Sequence, residues 1–205
     1  LYVMNTDGTN VQRVKRGGYV SDDFAFSPDG GRIAYYNCDY YECAIILASV
    51  DLSWGSVITE KGDGLPSWSP DGARIAFTSY RDGGDAVYVM DVDGGNQVRL
   101  SSDDSNDLYP AWSPDGKRLV FVSYRDDNSE IYVMDSNGAN QQRLTNSPTS
   151  SDRSPAWSPE GREIVFVSYD YKTGSTISIM GADGSNVRQL TSNKYELDCP
   201  SWSPD

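Results

Sequence analysis

Pro110-Ala111-Trp112-Ser113-Pro114-Asp115-Gly116-Lys117-Arg118-Leu119-Val120-Phe121-Val122-Ser123-Tyr124 decides how this chain folds. Pro114 presets φ, Asp115 can bond its own backbone and Gly116 accepts a positive φ, so Pro-Asp-Gly predicts a tight turn between two strands. The strand after it, Arg118 to Tyr124, is apolar almost without alternation, the pattern of a strand covered on both faces. The same turn begins at Ser27, Ser69 and Ser158, with Glu160 for Asp in the last, and the chain stops within another at Ser203-Pro204-Asp205. Successive copies lie 42, 44, 45 and 45 residues apart. A period in the forties built of short strands predicts a repeat array, and a four-stranded propeller blade has this length.

Outward from the turn, the unit continues with a polar loop, Arg125 to Ser129, and a third strand, Glu130 to Asp135. A tight turn, Ser136 to Ala139, leads to an outer strand, Gln141 to Thr145. With these four strands labelled a to d, the chain reads as one all-β domain over 1–205, a β-propeller of four-stranded antiparallel blades. Complete blades are expected at 24–60, 66–101, 110–145 and 155–191. Strands c and d of a split blade fall at 1–14, and its strand a at 200–205. Shared between the two ends, that blade would close a five-bladed ring; alternatively the chain is a fragment of a six-bladed one. Trp68, Trp112, Trp157 and Trp202, with Phe26 at the same place, recur on strand a and are expected to pack between blades.

Pro-x-Trp-Ser-Pro-Asp-Gly, the apolar run ending Ser-Tyr-Arg-Asp, then Ile-Tyr-Val-Met-Asp and Arg-Leu-Thr resemble the TolB-like propeller repeat of WD-like type across the whole chain. The resemblance implies a periplasmic or extracellular setting and service in envelope protein assemblies. The separate α/β domain of that family has no counterpart here, and the Trp-Asp and Gly-His of true WD repeats are missing.

Thirty acidic against seventeen basic residues give a net charge of −13, which disfavours nucleic acid and anionic membrane surfaces and favours basic partners. No apolar run is long enough to insert in a membrane. The sequence has no histidine, which removes the commonest general base and the usual His-containing zinc sites. No phosphate loop or nucleophile elbow is present, and the glycines sit at turns. We therefore expect no enzyme activity and no cofactor. Cys38 and Cys43 flank a hairpin loop and are a candidate disulfide, with two thiols as the alternative.

Asp63, Asp107 and Asp152 each stand three residues before the proline of strand a, with Asp198 and Asp22 as equivalents in shifted register. Strand a is innermost, so these positions are expected to ring the channel mouth. The b–c loops on the same face add acids such as Asp82, Asp126 and Glu130 and the aromatic residues Tyr40, Tyr41, Tyr109, Tyr171 and Tyr195. Two readings stay open: a solvated acidic surface, or a binding mouth for a cation or a basic peptide contacted by Asp63, Asp107, Asp152, Asp198, Asp22 and Tyr109. The leading expectation is a non-enzymatic interaction scaffold. The alternatives are an accessory propeller of a larger hydrolase or peptidase, and a structural subunit of an extracellular fibre or surface array that self-associates by strand exchange.

Overall fold

In the computed structural model, residues 2–4, 7–13, 19–39, 42–60, 62–102, 105–192 and 197–203 are described, with backbone alone at 19–23, 39 and 42. The described chain has eighteen β-strands and no helix. A two-stranded ladder of β1 (Tyr2–Val3) and β2 (Gln12–Arg13) precedes four antiparallel four-stranded sheets, each with its strands in chain order. Blade 1 is β3 (Tyr19–Phe26), β4 (Arg32–Asp39), β5 (Glu42–Ser49) and β6 (Gly55–Val57). Blade 2 is β7 (Asp63–Trp68), β8 (Arg74–Ser79), β9 (Ala86–Asp91) and β10 (Val98–Arg99). Blade 3 is β11 (Asp107–Trp112), β12 (Arg118–Asp126), β13 (Asn128–Asp135) and β14 (Gln142–Arg143). Blade 4 is β15 (Ser150–Trp157), β16 (Glu163–Asp170), β17 (Gly174–Gly181) and β18 (Arg188–Gln189).

The repeated turn is held by its own side chains. Ser113 Oγ donates to Asp115 Oδ1 at 2.6 Å, while the amides of Lys117 and Arg118 donate to Asp115 Oδ1 and Ser113 Oγ. Ser27-Asp29 and Ser69-Asp71 repeat this network. In blade 4, with Glu160, the Arg162 and Glu163 amides both donate to Ser158 Oγ. Each turn thus satisfies backbone donors that the strands leave over.

The core is divided among the blade interfaces, which is why strands b and c are apolar on both faces. Ala34, Ile45 and Leu47 of blade 1 pack with Trp68, Ile75, Phe77 and Met90 of blade 2. Ala76, Val87 and Val89 of blade 2 meet Trp112, Leu119, Phe121 and Met134 of blade 3, and Val120, Val122 and Ile131 meet Trp157, Ile164, Phe166 and Met180 of blade 4. Strand-a tryptophans also carry polar links between blades. Trp68 Nε1 donates to Ala25 O, Trp157 Nε1 to Ala111 O and Trp202 Nε1 to Ala156 O. Arg32, Arg74 and Arg118 of the preceding blade lie 4.7–4.9 Å over the rings of Trp68, Trp112 and Trp157.

Antiparallel order puts the a–b and c–d turns on one face of the blades and the b–c and d–a connections on the other. Cys38 and Cys43, opposed in register across β4 and β5, are joined in a disulfide at a b–c connection.

Candidate functional site

Strand a starts earlier than its proline. In β7, β11 and β15 the ladder breaks register between Gly64 and Ser67, Leu108 and Ala111, and Arg153 and Ala156. At each break the residue before the proline lies in the left-handed region: Leu65 at φ 55°, Tyr109 at 55° and Ser154 at 51°. Cys199, before Pro200, has φ 48°. Leu and Tyr there hold backbone strain of roughly 1–3 kcal/mol each, which the surrounding bulge must offset. The consequence is convergence: Phe24, Leu65, Tyr109, Ser154 and Cys199, with Pro66, Pro110, Pro155 and Pro200, line one open cavity of about 240 Å³ where the strand-a segments of successive blades meet. Phe24 and Tyr109 keep roughly two-fifths of their surface exposed there, at 43% and 39%.

The same bulge corrects the expected carboxylate rim. Asp63, Asp107 and Asp152 belong to strand a, directly opposite Ser79, Ser123 and Ser168 of strand b, and are 0%, 0% and 1% exposed. Buried carboxylates require compensation, and two have it. Arg81 Nη2 reaches Asp63 Oδ2 at 2.5 Å, and Arg125 Nη2 reaches Asp107 Oδ2 at 3.0 Å. Each guanidinium also donates to a strand-b hydroxyl, Ser79 or Ser123, and to Gln97 or Gln141, and lies over Tyr88 or Tyr132 at 4.8 and 4.6 Å. Both ion pairs lie within a single blade, and neither acid lines the mouth.

Asp152 has no such guanidinium. Its Oδ2 accepts Ser147 Oγ at 3.2 Å, and its Oδ1 is buried without a hydrogen-bond partner. Burial pushes its carboxyl above the ordinary 3.8, the Glu130 charge adds to this, and the Ser168, Thr145 and Ser147 hydroxyls oppose it. Asp63 is also pushed up by burial, against Ser79 and Arg81.

The loop acids divide in the same way. Glu130 is fully buried, accepting Arg143 Nη2 at 2.7 Å, Thr145 Oγ1 at 2.5 Å and the Ser147 amide at 2.7 Å. Asp82 and Asp126 each accept a tyrosine hydroxyl, from Tyr88 and Tyr132, and an arginine, Arg99 and Arg143, at 3.2 Å. Burial and the neighbouring Asp126 push the Tyr132 hydroxyl up to about 12. Asp198 remains at the surface beside the mouth, accepting Ser154 Oγ at 2.8 Å. The side chain of Asp22 and the residues Tyr40, Tyr41 and Tyr195 lie outside the described residues. Tyr171 is exposed.

Of the expected set, the mouth therefore gathers Tyr109 with Asp198 at its edge. It adds Phe24, Leu65, Ser154 and Cys199, whose common mark in sequence is a place at or just before the proline position of strand a.

The geometry defines a class, a β-propeller with an apolar, partly aromatic axial mouth. The model of the TolB beta propeller domain matches residues 1–205, and the chain belongs to that family. TolB from Acinetobacter baumannii superposes with a TM-score of 0.82 at 28% identity, over 95% of this chain and 49% of that one. A TolB-like protein from Agrobacterium tumefaciens superposes with a TM-score of 0.83 at 28% identity, over 93% of this chain and 73% of that one. The Tol-Pal system protein TolB of Thioalkalivibrio sulfidiphilus is 43% identical over 37 residues, 18% of this chain and 8% of that protein. The chain thus matches only a small part of that relative and spans about half of the Acinetobacter structure. An oligogalacturonate lyase in complex with manganese, at 15% identity and a TM-score of 0.71, shares the fold alone.

Proposed function

We propose that this propeller is a non-enzymatic interaction scaffold that takes an extended peptide or protein segment at its axial mouth. The observation that carries the reading is the cavity lined by Phe24, Leu65, Tyr109, Ser154 and Cys199, each of which holds a left-handed backbone position, an exposed aromatic ring or both. An apolar pocket with an aromatic anchor and a polar edge is the composition of a binding centre. Asp198 at that edge and the net charge of −13 favour a segment bearing Lys or Arg. A catalytic reading has little to build on: the chain has no histidine, and Asp63, Asp107 and Glu130 are committed to internal arginines and Asp82 and Asp126 to tyrosines. The Tol-Pal naming of relatives and the Cys38–Cys43 disulfide both favour an oxidising, extracytoplasmic compartment, the periplasm first.

A display library of random peptides selected on the immobilised protein tests this. Recovered peptides should be enriched in basic and apolar residues. They should bind Tyr109→Ala at least about tenfold more weakly, equivalent to about 1.4 kcal/mol, and bind Lys117→Ala, on the opposite face, unchanged. Equal binding to Tyr109→Ala, or loss on Lys117→Ala, would contradict the proposal.

A further inference from the structure

Blade 4 departs from blades 2 and 3 at several positions that act together. Where those blades carry Arg81 and Arg125, blade 4 has Asp170. The stacked Tyr88 and Tyr132 become Ser178, and Arg99 and Arg143, opposite those tyrosines in register, become Gln189, opposite Ser178. Yet Asp152 and Ser168 are retained in the register of Asp63–Ser79 and Asp107–Ser123. The acid that two blades neutralise with their own guanidinium is kept, and the guanidinium is gone.

The space released is real. A cavity of about 420 Å³ is lined by Ser150, Ser168, Asp170, Thr176, Gln189 and Ser192. Asp152, Ser168 and Thr176 form one cross-strand row and so share a sheet face, so the buried carboxylate, with its unpartnered Oδ1, lies behind the cavity lining on the face from which Ser168 and Thr176 line it. Asp63 Oδ1 also lacks a hydrogen bond, but Arg81 meets that carboxylate's charge; at Asp152 no cation of the described chain does so. Arg153 lies on the opposite face with Tyr169 and Asp198, Arg143 is bound to Glu130 and Asp126, and Lys172 is exposed, its amide bonded to Asp170.

From this we infer that blade 4 holds a socket for a guanidinium brought from outside, the side chain of an arginine on a partner, seated between Asp152, Ser168 and Asp170 as Arg125 sits between Asp107 and Ser123. A planar fork of donors matches this spread of oxygens, where a compact ion would leave several unmet. Blades 2 and 3 are the internal template for the occupied state. The socket lies away from the axial mouth and does not depend on the reading of that mouth.

The probe is methylguanidinium, added to the isotope-labelled protein and followed by amide chemical shifts. Saturable binding is expected with a Kd on the order of 1 mM, its shifts centred on 150, 168, 170 and 176. Asp152→Asn should weaken it at least tenfold. Asp170→Arg, which restores the chain's own guanidinium, should abolish it and raise the thermal midpoint, while Tyr109→Ala leaves it unchanged. The inference is overturned if methylguanidinium does not saturate, if binding survives Asp170→Arg in a folded protein, if calcium chloride gives the same shifts, or if Tyr109→Ala removes them. Should Asp152→Asn fail to fold, the Asp170→Arg comparison decides alone.

Discussion

Asp107 and Asp152 occupy the same place in successive blades, yet their partners make them energetically different residues. Asp107 is bonded to Arg125 with both oxygens and to Ser105, so Asp107→Ala strands a half-buried guanidinium and should cost about 3–5 kcal/mol in urea unfolding. Asp152 has no guanidinium, and its raised pKa means that folding already works against its charge. Asp152→Asn should therefore stay within about 1 kcal/mol of the parent, in either direction. Acid titration separates a third kind. Asp51, held near 2 by Ser49 and Ser53, and the turn acids Asp29, Asp71 and Asp115, held below 3.8, are more acidic folded than unfolded. Their contribution is present above 3.8 and is lost as pH falls below it, for Asp51 toward about 2. Asp152 runs the other way, since its raised folded pKa makes protonation near and above 3.8 favour the folded state. As pH falls from neutral toward 3.8, stability should therefore drop more for Asp152→Asn than for the parent, because the variant lacks this opposing gain.

At the scale of the element, the c–d turn does more than reverse the chain. Gly138 has φ +87°, and a Cβ built there would lie 2.7 Å from Leu100 O, the end of the preceding blade's outer strand; Gly184 meets Leu144 O in the same way at 2.9 Å. Gly138→Ala combines backbone strain with an inter-blade clash and should cost more than about 2 kcal/mol. At Gly8, φ is +81° with open space around it, so Gly8→Ala should cost only about 1 kcal/mol. Comparing the two unfolding midpoints separates turn strain from blade packing. The strand-a tryptophan is the matching test: Trp157→Ala removes an inter-blade ring, its bond to Ala111 O and the seat of Arg118, and should cost about 3–5 kcal/mol. These elements were legible in sequence because turn chemistry and doubly covered strands repeat in composition. Less legible was where strand a begins. The bulge depends on a left-handed residue before proline, and nothing in Leu65, Tyr109, Ser154 and Cys199 as residue types announces that conformation. Reading Asp63, Asp107 and Asp152 as loop residues made them look like a rim, whereas a strand that starts three or more residues earlier takes them into the blade.

Over the whole molecule, the core belongs to the interfaces between blades, so the strands supply a stiff frame and leave the axial mouth to differ from it in chemistry. The proposed function puts a partner segment at this mouth. Cys199 lines it and is exposed, while Cys38 and Cys43 are joined, so its thiol reports on occupancy. The decisive measurement is the alkylation rate of Cys199 by a small maleimide, with and without a saturating selected peptide. The account predicts at least a tenfold slowing that Tyr109→Ala abolishes at the same peptide concentration; an unchanged rate at saturation would place the bound segment elsewhere and contradict it.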